Sequence, residues 1–234
     1  RRENAGLCEM VTAKGGLEFV HNERDVIDFR ITPLLPHKHS MGGPGIAVGD
    51  LDGNGLDDVY IGTDRGSEKA LYLQSAPGQF ERRLLEGERQ HEDMGAIFFD
   101  ADGDGDNDLY VVNGGSFIAS APDVYRDRLY INDGRGRLRR VADALPSVMS
   151  SGSSVTAADY DRDGDLDLFV GGRVIPGDYP LPPRSYLLRN DSRPGSVRFT
   201  DVTTTAADGS WSLDLTRNQT WTFVASASTS SVPM

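Results

Sequence analysis

The stretch DADGDGDNDLYVV, residues 100–112, sets five carboxylates at alternate positions and then runs straight into an apolar, β-rich segment. Like charges at that spacing repel unless something positive lies between them. Side chains at alternate positions of a tight loop converge on one point, and oxygen-only donors suit a hard cation. Calcium takes about 6 to 8 oxygens at flexible geometry. The natural donors here are Asp100, Asp102, Asp104, the carbonyl of Asp106, and Asp108, with Gly103 and Gly105 letting the backbone fold around an ion.

The pattern occurs three times. DLDGNGLDD starts at Asp50 and DYDRDGDLD at Asp159, so the three loops share D-x-D-x-[DN]-G-x-x-D at offsets of 50 and 59 residues. In the same register the first loop offers Asp50, Asp52, Asn54, the Leu56 carbonyl and Asp58. The third offers Asp159, Asp161, Asp163, the Asp165 carbonyl and Asp167. Three calcium ions, one per loop, are expected, and the neutral Asn54 predicts that the first site is the weakest.

Other metals and other loops fit less well. An EF-hand needs Glu at position twelve and flanking helices. Position twelve is Ile61, Val111 or Val170, each inside an expected strand. Magnesium demands strict octahedral geometry and keeps its waters, and zinc wants His or Cys, which no loop contains. Two plainer readings stand beside the calcium site: solvated Asp/Gly turns, and an ion that only stitches strands together without signalling or catalysis.

The flanks repeat with the loops. GIAVG (45–49), GAIFF (95–99) and SVTAA (154–158) precede them, while VYIGT (59–63), LYVVN (109–113) and LFVGG (168–172) follow. A second block recurs downstream as KALYLQSAPGQF (69–80), DRLYINDGRGRL (127–138) and RSYLLRNDSRPGSVRF (184–199), each reading as strand, turn, strand. Four short strands per 50 to 60 residues, with no helical period between them, predict an all-β fold: three complete four-stranded blades of a β-propeller. The expected units are residues 45–94, 95–150 and 151–203. Residues 1–44 then hold an outer strand of a preceding blade, LEFV (17–20), plus a linker. Residues 204–234 form a Ser/Thr-rich tail, read as a fragment of an immunoglobulin-like module or as disordered.

The loops, their strand flanks and the LY-x-N-D-G block resemble the FG-GAP or VCBS-type repeats of integrin alpha-chain propellers and of bacterial relatives of cartilage acidic protein 1. That resemblance implies a seven-bladed propeller, calcium held in the blade loops by the donors named above, and an extracellular or cell-surface location.

Bulk properties narrow the function. The net charge of -12 argues against a nucleic-acid partner, which needs clustered Lys and Arg. No run of about 18 apolar residues exists to span a membrane. Cys8 is the sole cysteine, so no intrachain disulfide forms. The chain starts at Arg1 without a targeting segment and reads as a processed form or a fragment.

The minor candidates all favour plain structural roles. His37 and His39 read as a loop pair, and Ser151 to Ser154 as a turn into the third blade. Asn190-Asp191-Ser192 and Asn218-Gln219-Thr220 are chance-prone glycosylation sequons. Arg1-Arg2, Arg82-Arg83 and Arg139-Arg140 are solvated edges, and Tyr60, Tyr110 and Phe169 are blade core.

Two functions from different classes follow. The first is a non-catalytic, calcium-binding propeller segment of a secreted or surface protein, partnered by an unidentified extracellular protein or glycan. The alternative is the scaffold of a calcium-dependent extracellular enzyme acting on polysaccharide or phosphoester. A convergent catalytic set on the central face would favour the second.

Overall fold

The computed structural model describes residues 15–23, 26–30, 32–85, 89–115, 122–147, 150–205 and 211–213. Three four-stranded sheets follow one another along the chain. The first contains β1 (Ile46–Gly49), β2 (Asp58–Ile61), β3 (Lys69–Ala76) and β4 (Gln79–Leu85). The second contains β5 (Asp93–Phe99), β6 (Asp108–Asn113), β7 (Arg128–Ile131) and β8 (Arg139–Arg140), and the third β9 (Ser151–Ala158), β10 (Asp167–Val174), β11 (Tyr186–Asn190) and β12 (Phe199–Asp201). Each is an antiparallel meander in sequence order. The first strands of the sheets lie side by side, β1 against β5 and β5 against β9. This is an all-β segment of a β-propeller with three complete blades.

Strand alternation explains how the blades stack. In β6, Leu109 and Val111 face the first blade and pack with Tyr60, Leu71 and Leu73. Their neighbours Tyr110 and Val112 face the third and pack with Leu168, Val170 and Leu188. Both faces of the middle blade are therefore buried, which is why LYVV carries no polar alternation. The outward face of the first blade, Ile61, Ala70 and Tyr72, is covered by Leu17 and Phe19. Residues 17–20 lie outside any sheet. The covering segment is tied down by Phe80 N–H to the Gly15 carbonyl at 2.6 Å and by the Tyr72 hydroxyl to the Glu18 carbonyl at 2.9 Å.

The inner strands approach so closely that a side chain does not fit. A Cβ on Gly45 would meet the Gly95 Cα at 2.7 Å, and one on Gly95 would meet the Ser153 carbonyl at 2.9 Å. Ser151, expected in a turn, instead opens β9; its hydroxyl is buried and donates to the Gly115 carbonyl at 2.6 Å.

A buried charge cluster fastens the first two blades at the strand ends remote from the acidic loops. Asp93, at the start of β5, accepts from the Tyr60 hydroxyl at 2.9 Å, from Lys69 Nζ at 3.1 Å and from the Arg128 guanidinium. The side chains of Lys69, Arg128 and Asp93 are all fully buried. Lys69 also donates to the carbonyls of Thr63 and His91, at 2.9 and 2.7 Å. In the second blade the Tyr110 hydroxyl donates to Asp127 at 2.7 Å. Tyr60 and Tyr110 are core residues, as expected, but with polar tips bound to buried carboxylates.

Beyond the third blade, β13 (Thr203–Thr205) pairs antiparallel with β14 (Trp211–Leu213). Arg1, Arg2, Cys8, the Asn218 sequon and the rest of the tail lie outside the described residues.

Candidate metal centres

Each acidic loop joins the first two strands of its blade and is shaped by its own first aspartate. Asp100 accepts from Gly103 N–H at 2.7 Å and from Gly105 N–H at 3.0 Å. Asp50 does the same with Gly53 and Gly55, both at 2.8 Å, and Asp159 with Arg162 and Gly164, at 2.7 and 3.3 Å. Position four takes a left-handed backbone in every loop, with φ of 74° at Gly53, 78° at Gly103 and 65° at Arg162. Only glycine adopts that region freely. Arg162→Gly is therefore expected to stabilise the fold by about 0.5–1 kcal/mol in urea denaturation, and a destabilisation would contradict this account.

The ninth position does more than donate a ligand. Asp108 is buried and accepts from Ala101 N–H and from Asn132 N–H, both at 2.8 Å, tying its loop to the end of the third strand. Asp58 repeats this with Leu51 and Gln74 at 2.8 and 2.7 Å, and Asp167 with Tyr160 and Asn190 at 3.1 and 2.8 Å.

The structure gathers the carboxylates of positions one, three and nine. Asp50, Asp52 and Asp58, then Asp100, Asp102 and Asp108, then Asp159, Asp161 and Asp167 each bring one oxygen within 4.8 Å of the others. Among the described residues these are the groups of three or more His, Cys, Asp or Glu side chains so placed. Position five lies beside position three, with the Asp104 charge acting on Asp102 and that of Asp163 on Asp161. The position-five side-chain oxygen accepts the position-seven N–H, in Asn54 to Leu56 at 2.8 Å, Asp104 to Asp106 at 3.0 Å and Asp163 to Asp165 at 3.3 Å.

Three buried oxygens in these loops, Oδ1 of Asp102, Asp161 and Asp165, have no hydrogen-bond partner. An orphaned buried acceptor costs about 1–3 kcal/mol, more when charged. A cation removes that cost, so the donor set fits a hard metal ion. The sequence register assigns Asp165 a role through its backbone carbonyl; the structure adds an unsatisfied carboxylate oxygen at the same residue.

The ion-free electrostatics have the same origin. Burial pushes the Asp108 carboxyl up to about 7, against the opposing pull of the Asn132 and Ala101 N–H groups and with the help of the neighbouring Asp102 and Asp104 charges. Burial likewise raises Asp58 and Asp167. It raises Asp165 to about 7, helped by Asp163. Carboxyls raised in the folded state hold protons that the unfolded chain has already released. Their stabilisation is complete below about pH 4 and is lost as pH rises toward 7. Calorimetry in chelator is expected to show the melting temperature falling from pH 5 to pH 7.5; a rise would contradict this.

His37 and His39 pack ring to ring at 4.6 Å, and burial lowers the His39 pKa. Asn190 is buried with its amide engaged, so its sequon is closed to modification in the folded chain. Among the described residues no helix is long and apolar enough to cross a membrane.

Sequence reasoning missed Asn132 and Asn190, whose amides cross blade boundaries. Asn132 Nδ2 donates to the Leu51 carbonyl at 2.6 Å, and Asn190 Nδ2 to the Ala101 carbonyl at 3.0 Å. Their matching place in the N-D of the second repeated block was the available signal.

No curated protein matches the chain. The model of the FG-GAP-like repeat matches residues 50–111 and again 100–170, so that each match begins on the first aspartate of an acidic loop and runs into the strand after the next. Together the two matches cover more than half of the chain, which belongs to the FG-GAP-like repeat family.

Proposed function

We propose that this is a non-catalytic, calcium-binding propeller segment of a secreted or cell-surface protein, serving adhesion or the binding of an extracellular protein or glycan. The observation that carries the reading is the recurrence, in three successive blades, of one converging carboxylate cluster, with orphaned oxygens in the second and third loops. Each ion takes the position-one, -three and -nine aspartates, with the position-five side chain and the position-seven carbonyl completing the shell. The blades run over residues 45–92, 93–150 and 151–203, the second opening with β5 at Asp93 rather than at residue 95, as part of a seven-bladed ring.

The ions serve architecture. Position nine already holds its loop to the third strand, and an ion on the same carboxylate locks the loop between two strands. FG-GAP-like repeats are typically binding modules, in keeping with a surface whose partner is recognised by the blade loops.

Native mass spectrometry of the full chain in calcium is the direct test. Three bound ions are expected, falling to two in each of Asp52→Asn, Asp102→Asn and Asp161→Asn. A chain that takes up no calcium would sink the proposal.

A further inference from the structure

We propose that Asn132 and Asn190 are positioning residues for the ion sites of the blades that precede them, so that the first two calcium sites are each completed across a blade boundary. This rests on the calcium reading above and names residues outside the ligand set.

The geometry is the same at both boundaries. Asn132 is buried just past the end of β7. Its backbone N–H binds Asp108, the ninth position of its own loop, at 2.8 Å. Its amide Nδ2 reaches back to the carbonyl of Leu51, the second position of the preceding loop, at 2.6 Å. The Leu51 N–H in turn donates to Asp58 at 2.8 Å. One boundary later, Asn190 N–H binds Asp167 at 2.8 Å, its Nδ2 donates to the Ala101 carbonyl at 3.0 Å, and Ala101 N–H donates to Asp108 at 2.8 Å. The side-chain oxygens are used too, Asn132 Oδ1 accepting from Gly136 N–H at 3.1 Å and Asn190 Oδ1 from Ser192 N–H at 3.0 Å. The same Nδ2 groups also donate to their own loops, Asn132 to the Asn107 carbonyl at 3.0 Å and Asn190 to the Leu166 carbonyl at 3.3 Å, so each amide is fixed in its flip with the NH2 bridging its own loop and the preceding one.

Leu51 and Ala101 lie between the first two ligands of their loops and hold the last one through their N–H. Anchoring their carbonyls fixes the peptide planes on which three ligands depend. The first loop has a second strut: Asn107 Nδ2 donates to the carbonyl of Asp50 itself at 2.8 Å. In the third blade that place is Leu166, which cannot donate, so the second loop has the Asn190 strut without this companion.

Groups that orient metal ligands typically carry 10–100-fold in affinity. The test is calorimetric titration of calcium into the full chain and into Asn132→Ala, Asn190→Ala and Asn107→Ala, with the ions assigned to loops by Asp52→Asn, Asp102→Asn and Asp161→Asn. Asn132→Ala is expected to weaken the first-loop ion by about 10–100-fold and leave the third-loop ion unchanged; Asn190→Ala is expected to weaken the second-loop ion by a similar factor and leave the first-loop ion unchanged. If Asn132→Ala fails to fold, Asn107→Ala, at a half-buried position, tests the same loop and is expected to weaken it. An unchanged first-loop affinity, or an equal loss at all three loops, overturns the inference while leaving the calcium reading intact. A wild-type chain that binds no calcium overturns both.

Discussion

Saturating calcium is expected to raise the melting temperature of the chain by about 10 °C or more over the same protein in chelator. A ligand that binds the folded state alone stabilises it by RT ln(1 + [L]/Kd), about 4 kcal/mol per site at 1,000 times Kd. For a chain of this size each kcal/mol moves the midpoint by about 2–4 °C, so one well-filled site suffices. The structural ground is a net charge of -12 with three carboxylate clusters folded onto themselves. Without an ion, folding must bring these groups together and desolvate the ninth aspartate; with one, the same convergence becomes favourable. Magnesium at equal concentration is expected to give less, because the loops present a flexible, oxygen-rich shell rather than a strict octahedron. Since calcium must displace protons held by the raised carboxyls, its effect is expected to grow from pH 5 to pH 7.5. Melting curves that coincide in calcium and chelator, with monovalent salt held constant, would refute the calcium reading.

Replacing Asp93 with alanine is expected to cost about 3–5 kcal/mol in urea denaturation. Burial pushes the Asp93 carboxyl up, but the Arg128 and Lys69 charges more than reverse this and leave it below the usual carboxylate range. The group is therefore ionised at neutral pH and neutralises buried cations from two blades. Removing it strands Lys69 and Arg128, neither of which has any side-chain exposure. The Tyr60 hydroxyl and the Thr63 N–H lose an acceptor at the same time. Such a loss reflects the uncompensated charges more than the worth of the pairs, so adding Lys69→Met and Arg128→Met to Asp93→Ala should recover a good part of it. A cost below about 1 kcal/mol for Asp93→Ala would mean that water reaches the two cations.

What the chain discloses in advance follows from its repetition. The three loops, their glycines and the strand runs recur at offsets of 50 and 59 residues, and that recurrence marked the blades before any contact was known. The donor set was legible for positions one, three and nine, because alternate side chains on a turn converge by local geometry alone. Position five was harder to place, since its oxygen is drawn to the backbone N–H two residues on, a choice that composition does not reveal. The LEFV segment has the alternation of a strand yet covers the first blade without joining a sheet, because apolar pattern reports burial and not pairing. Asn132, Asn190 and the Lys69–Asp93 pair were missed for one reason: their partners lie on another blade, at separations from 24 to 89 residues. A repeat shows what each unit shares and is silent about what one unit does for the next.

The Asp93 cluster has a consequence for how such a chain assembles. The first boundary is closed by an anion with two cations, while at the second a serine hydroxyl meets a backbone carbonyl. The two seams are thus not interchangeable. A blade docked out of turn against the first would leave Lys69 without the carboxylate it contacts directly, and a near-copy of the right neighbour would be disfavoured on that ground. In a protein made of look-alike units, the irregular residues act as an address that puts each unit next to its proper neighbour.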